Sequence, residues 1–85
     1  MTDPEILDLL KKALLEVAPG RSGDFEKITV DTTIEDLDLD SVSTMEMVGF
    51  LEEQTDSTFP DEDLAKVQKL ADLATLIRGG RLGAA

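Results

Sequence analysis

The sequence predicts an all-α fold, a small bundle of three main helices and one short helix, with a long first loop. Three observations predict it. Apolar residues recur at spacings of three and four in separate segments. Residues that start and stop helices bracket those segments. The one stretch that reads as a strand, Ile28-Thr29-Val30, has no visible partner.

The first helix is expected from Pro4 to Ala18. Asp3 can cap it, Pro4 suits its first turn, and Glu5 meets the positive end of its dipole. Ile6, Leu10, Ala13, Leu14 and Val17 then form one stripe, and Pro19-Gly20 ends it. From Gly20 to Asp40 no period is sustained. Phe25, Ile28, Val30, Ile34, Leu37 and Leu39 are spaced along this connection as anchors, with a short helical turn expected at Ile34 to Leu37. The second helix runs from Ser41 to Gln54 with Asp40 as its cap. Met47, Phe50, Leu51 and Gln54, with Val48 beside them, form its core face. Val42, Met45, Glu46, Gly49, Glu52 and Glu53 fall on the other side. That face mixes two apolar side chains with three acids; it either half-buries against the connection or meets a partner. Phe59-Pro60-Asp61-Glu62 anchors and starts a short helix, Asp61 to Val67. The last helix, Leu70 to Arg78, puts Leu70, Leu73, Ala74 and Ile77 on one stripe and stops at Gly79-Gly80. Residues 79–85 follow the last helix, with Arg81–Ala85 as a fraying tail, and residues 1–85 read as a single domain.

Composition narrows the function. Without cysteine there is no disulfide or thiolate from the chain itself. Without histidine the usual general base and the usual zinc ligand are missing. No apolar run approaches the roughly 20 residues of a membrane span, and the acidic N-terminus lacks a signal-peptide layout, so the protein is expected to be cytoplasmic and off the membrane. Net charge is −11, and between Ile28 and Ala65 there are twelve acids and no Lys or Arg. Such a field repels nucleic acid and attracts basic protein surfaces. We expect a monomer.

Three chemistries compete at the stretch Asp36-Leu37-Asp38-Leu39-Asp40-Ser41. The alternating aspartates open like a calcium loop, but Ser41 stands where the sharp turn needs glycine and Met47 where a bidentate Glu is required. No dedicated metal site is expected. An enzyme is not expected either: Ser41 has no base to activate it, and no phosphate-binding loop is present. Ser41 could simply satisfy backbone groups at the helix start. It could also be a point of attachment, because a phosphate held there would meet free N–H groups and the positive dipole end.

The residues resemble a known family at this point. Asp40-Ser41-Val42, then Met45-Glu46-Met47-Val48 and Leu51-Glu52-Glu53, is similar to the Asp-Ser-Leu motif and second helix of acyl carrier proteins. Phe59-Pro60-Asp61-Glu62-Asp63 with Lys66-Val67 resembles the Ile-Pro-Asp-Glu stretch of that family, and Thr33-Ile34-Glu35-Asp36-Leu37 the segment before the motif. The likeness spans Ile6 to Ile77 in order. It implies a four-helix carrier fold. It implies that Ser41 receives 4′-phosphopantetheine from coenzyme A through a phosphopantetheinyl transferase, and that the thiol of this arm carries acyl groups as thioesters. It also implies acyl-transferring and synthase partners whose basic patches dock on Asp40, Glu46, Glu52 and Glu53, with Val42 and Met45 as apolar contacts. The chain departs from the usual family pattern at Asp38, often Gly, at Leu39, Ser43 and Thr55, and at Gly49, often a larger side chain. Fatty-acid, lipid and polyketide biosynthesis are the pathways implied. A specialised aminoacyl or peptidyl carrier, and an unmodified acidic adaptor for a basic partner, are the alternatives.

Overall fold

The computed structural model describes residues 2–80 and 82. Five α-helices follow in order: α1 (Asp3–Val17), α2 (Ser22–Phe25), α3 (Ser41–Thr55), α4 (Asp61–Leu64) and α5 (Leu70–Ile77). Single 3-10 turns precede α2 (Pro19–Arg21) and lie within the long connection (Glu35–Leu37). No strand is found among the described residues; the only β-type pairing there is a bridge between Thr33 and Lys69.

α1 lies against α3 and, less extensively, α5. Ile6, Leu9, Leu10, Ala13 and Leu14 are buried along one side of α1, and Val17 is half-buried at its end. Burying each large apolar side chain contributes about 1.5–3 kcal/mol. The cap is Thr2 rather than Asp3. The Glu5 N–H donates to Thr2 Oγ1 (3.4 Å), and the Thr2 N–H donates to Glu5 Oε1 (3.0 Å), a reciprocal box that satisfies two orphan donors. The Thr2 N–H, then the Thr2 hydroxyl, hold the Glu5 carboxyl below its ordinary range. Asp3, freed from capping, pairs with Arg78 beyond the end of α5.

The long connection is more structured than its lack of period suggests. α2 is a single turn around Phe25, which is buried. Arg21 braces it: its Nε donates to Asp24 Oδ2 (3.1 Å) and its guanidinium stands 5.1 Å from the Phe25 ring centre. Gly23 and one buried side chain give no helical stripe, so α2 is invisible to periodicity. The expected turn at Ile34–Leu37 is present over Glu35–Leu37. Phe25, Ile28 and Leu37 are buried anchors, while Val30, Ile34 and Leu39 are half-buried. Carbonyls of the connection then cap another element. Val30 and Thr32 accept from the N–H groups of Ala71 (2.7 Å) and Leu70 (2.9 Å), the first residues of α5.

In α3 the core face is Met47, Val48 and Leu51. Phe50 is only half-buried and Gln54 is exposed, so the buried stripe is centred slightly to one side of the expected one. α4 is shorter than the expected Asp61–Val67. Its last bonds tighten to i−3, Lys66 to Asp63 and Val67 to Leu64. Beyond them the Gln68 carbonyl accepts from Ile34 (2.8 Å), and the Asp72 carboxylate takes the N–H groups of Gln68 and Lys69. The residues that would extend α4 are therefore bonded elsewhere. In α5, Leu70, Leu73, Ala74 and Leu76 are buried and Ile77 is half-buried. Leu76 shares the lining of a surface hollow with Phe59, Pro60 and Asp63. α5 closes with Gly79 at φ +84° and the Gly80 N–H on the Thr75 carbonyl (2.9 Å), a glycine C-cap. Of the expected tail Arg81–Ala85, only Leu82 is among the described residues.

Candidate functional site

Ser41 is the first residue of α3 and is exposed. The capping is done by its neighbour. Asp40 Oδ1 accepts from the Ser43 N–H at 2.7 Å, and the Thr44 hydroxyl donates to the Asp40 carbonyl at 2.9 Å. The N–H of Ser43 is also the main reason the Asp40 carboxyl is held below its usual range. The Ser41 hydroxyl enters none of the side-chain hydrogen bonds found among the described residues, although Asp40 and Thr44 do. A serine serving only as a cap would not leave that hydroxyl free.

The approach to Ser41 is held from behind. Asp38 adopts a left-handed backbone (φ 53°, ψ 44°) that reverses the chain after the 3-10 turn. The Arg21 Nη1 group donates to the Asp38 carbonyl at 3.3 Å, across 17 residues of sequence. This backbone geometry is the physical reason why a glycine would suit position 38. Leu39 is half-buried and anchors the next residue.

Val42 and Met45 are 68% and 62% exposed, so they do not half-bury against the connection. Glu46, Gly49 and Glu53 are exposed beside them. Glu52 differs. It is half-buried, and its Oε2 accepts from the Phe59 N–H at 2.7 Å. The residues that sequence spacing put on one face are therefore five outward residues and one engaged by its own chain. Exposed methyl and thioether groups flanked by carboxylates suit a partner surface that is basic at its rim and apolar at its centre.

A crevice unforeseen from the sequence lies next to this face. Ile34, Thr44, Met45, Met47, Val48, Leu64, Val67 and Leu73 line it, and this part-open space has a volume of about 190 Å³. That exceeds the 150 Å³ at which an apolar cavity in a protein core holds benzene. Its walls come from the connection, α3, the α4 region and α5. Each contributes residues that read as ordinary core, so no single stripe could reveal it. Met45 belongs to both places, lining the crevice and standing exposed on the outer face.

Among the described residues, no group of three or more Asp, Glu, His or Cys is arranged to hold a metal ion. Nor is any helix there long and apolar enough to cross a membrane. A free hydroxyl stands at the N-terminal end of a 15-residue helix, where an attached phosphate would meet the positive dipole end.

Comparison with known proteins gives the family. The family model described as a phosphopantetheine attachment site matches residues 6–77. An acyl carrier protein of Akkermansia muciniphila is 43% identical over 78 residues, covering 91% of this chain and 94% of the relative. One from Rickettsia bellii strain RML369-C is 33% identical over 69 residues, covering 80% of each. The chain belongs to the acyl carrier protein family, whose members bear a 4′-phosphopantetheine group.

Proposed function

We propose that Ser41 is the residue that receives the 4′-phosphopantetheine arm, and that the protein carries acyl groups between enzymes of fatty-acid, lipid or polyketide synthesis. The observation that carries the reading is the exposed Ser41 hydroxyl, unused by the cap because Asp40 fills that role. When bound, the arm supplies the thiol that the Cys-free chain lacks and holds acyl groups as thioesters.

The chain's own residues do the rest. Asp40 fixes the first turn of α3 and keeps the Ser41 hydroxyl outside the cap. Asp38 and Arg21 set the direction from which the chain enters that turn. Val42 and Met45 offer apolar contacts to a phosphopantetheinyl transferase and to acyl-transferring or synthase enzymes. Asp40, Glu46 and Glu53 provide the charge that steers their basic patches, and Glu52 adds its own where its carboxylate is free to share. The crevice behind Met45 is apolar enough to shelter part of a hydrocarbon cargo from water. The protein acts as a substrate of these enzymes rather than as a catalyst. It works as a monomeric cytoplasmic domain.

The test is direct. Apo protein is incubated with coenzyme A, Mg²⁺ and a broad-specificity phosphopantetheinyl transferase, then weighed by mass spectrometry. One arm should be added to the parent and none to Ser41→Ala. An adduct that survives Ser41→Ala, or none on a folded parent, refutes the assignment. An unmodified adaptor would instead bind a basic partner equally well with Ser41→Ala and never gain mass.

A further inference from the structure

Glu52 belongs by sequence to the outer face of α3, yet it binds its own chain at two points. Its backbone carbonyl accepts from the Ser57 N–H at 3.0 Å. Its carboxylate accepts from the Phe59 N–H at 2.7 Å, a short bond strengthened by the full charge. Phe59 is 4% exposed and is followed by Pro60, which has no N–H to offer. Among the described residues, the bond to Glu52 is the only one that ties the stretch from Thr58 to Pro60 to α3. This stretch leads straight into α4. Leu64 at the end of α4 and Val67 just after it form the crevice wall that faces Met45, Met47 and Val48 of α3.

We propose that Glu52 is a positioning residue for the crevice. It clamps the segment before α4 to α3 and so sets where the Leu64–Val67 wall stands. On this view Glu52 mainly serves the space inside the bundle, and Glu46 and Glu53 serve the outside. The meaning given to the crevice rests on the carrier reading above; the clamp itself does not.

The test is residue-resolved amide exchange on ¹⁵N-labelled apo protein, compared for the parent, Glu52→Ala, Glu52→Gln, Glu53→Ala and Leu9→Ala. The amides of Leu64 and Val67 are internally bonded, at 3.0 and 3.2 Å, and so report opening of the wall. Glu52→Ala should speed exchange at Phe59, Leu64 and Val67 by about tenfold or more, the scale of losing a hydrogen bond to a charged group. Glu52→Gln, which keeps an acceptor oxygen, should recover most of the protection. Glu53→Ala removes the same charge one residue away and should leave these amides within about twofold. Leu9→Ala hollows the shared core and lowers global stability, so it should also speed the slowest amides of α1 and α3, which Glu52→Ala should leave within about twofold. The proposal fails if Glu52→Ala changes them by less than about threefold, or if only Phe59 responds. It also fails if Glu53→Ala speeds them as much, or if Glu52→Ala speeds the slowest amides of α1 and α3 equally, as a global loss of stability would. None of these results depends on whether Ser41 takes the arm, and a failure of the carrier reading would show separately as an absent mass adduct.

Discussion

Gly49 occupies the middle of α3 on its exposed face, and its replacement by alanine tests the backbone and the surface together. Its φ lies in the ordinary negative range, and a Cβ built there meets nothing within 4 Å. The substitution can therefore neither relieve nor create a clash. What remains is helix propensity, which favours alanine over glycine by about 0.8–1.0 kcal/mol in a helix interior. For a domain of this size that corresponds to a rise in Tm of about 4–8 °C, and to a urea midpoint higher by about 0.5–1 M with the slope unchanged. Gly79 supplies the opposite control. The same one-methyl change there places a Cβ at φ +84°, which costs on the order of 1–2 kcal/mol and offsets the smaller gain from a stiffer unfolded chain. Thermal and urea melts of Gly49→Ala and Gly79→Ala should move in opposite directions. A Gly49→Ala protein that melts at or below the parent temperature would refute the reasoning, because it would mean that position 49 is not free helical surface.

Three further outcomes follow from the geometry of the site. Asp38→Gly removes a left-handed L-residue (φ 53°) while keeping the carbonyl that Arg21 binds; a gain of about 1 kcal/mol is expected, seen as a higher urea midpoint. Asp40 and Glu5 have carboxyl groups held below their ordinary range by N–H donors. Their contribution to stability is therefore complete above the unfolded carboxylate pKa of about 4 and is lost as pH falls through the lower folded values. Tm should decline below about pH 4.5, and Asp40→Asn with Glu5→Gln should flatten that decline. Glu52 and Asp56 stand four residues apart, and Glu53 and Asp56 three, as like charges on one helix end. Mg²⁺ should raise Tm more than NaCl at equal ionic strength, and equal rises would show that general screening suffices.

Much of the fold was legible because burial repeats along a helix. The stripes of α1 and α5 were readable to within a residue or two, and the Asp40 cap could be named from its position alone. Legibility ended where structure depends on contacts distant in sequence. α2 has one buried side chain, Phe25, and is held by Arg21, so no pattern announces it. α4 stops early because Ile34 and Asp72, on other segments, take the next backbone groups. At the site, Ser41 and the exposed pair Val42 and Met45 were placed by spacing. Glu52 was placed on the same face by the same spacing, but a helical wheel records direction and not hydrogen-bond partners. The crevice escaped for a related reason: Val48, Leu64 and Leu73 look like plain core until the segments are brought together.

The carbonyls of Val30 and Thr32 that receive the first N–H groups of α5 have a consequence for how the chain reaches its native state. An isolated helix of eight residues is too short to persist in water. Its start is completed by atoms roughly forty residues upstream, so it cannot gain that support until the intervening loop has closed and its closure entropy has been met. α1 and α3 need no such return of the chain to complete their ends, since Thr2 and Asp40 cap them from the adjoining residue. The order of assembly is thus written into the caps: the locally capped helices can pair early, and the last helix condenses together with the connection as one cooperative unit. A single cut between Gly20 and Val30 would loosen the far end of the sequence before it loosened α3.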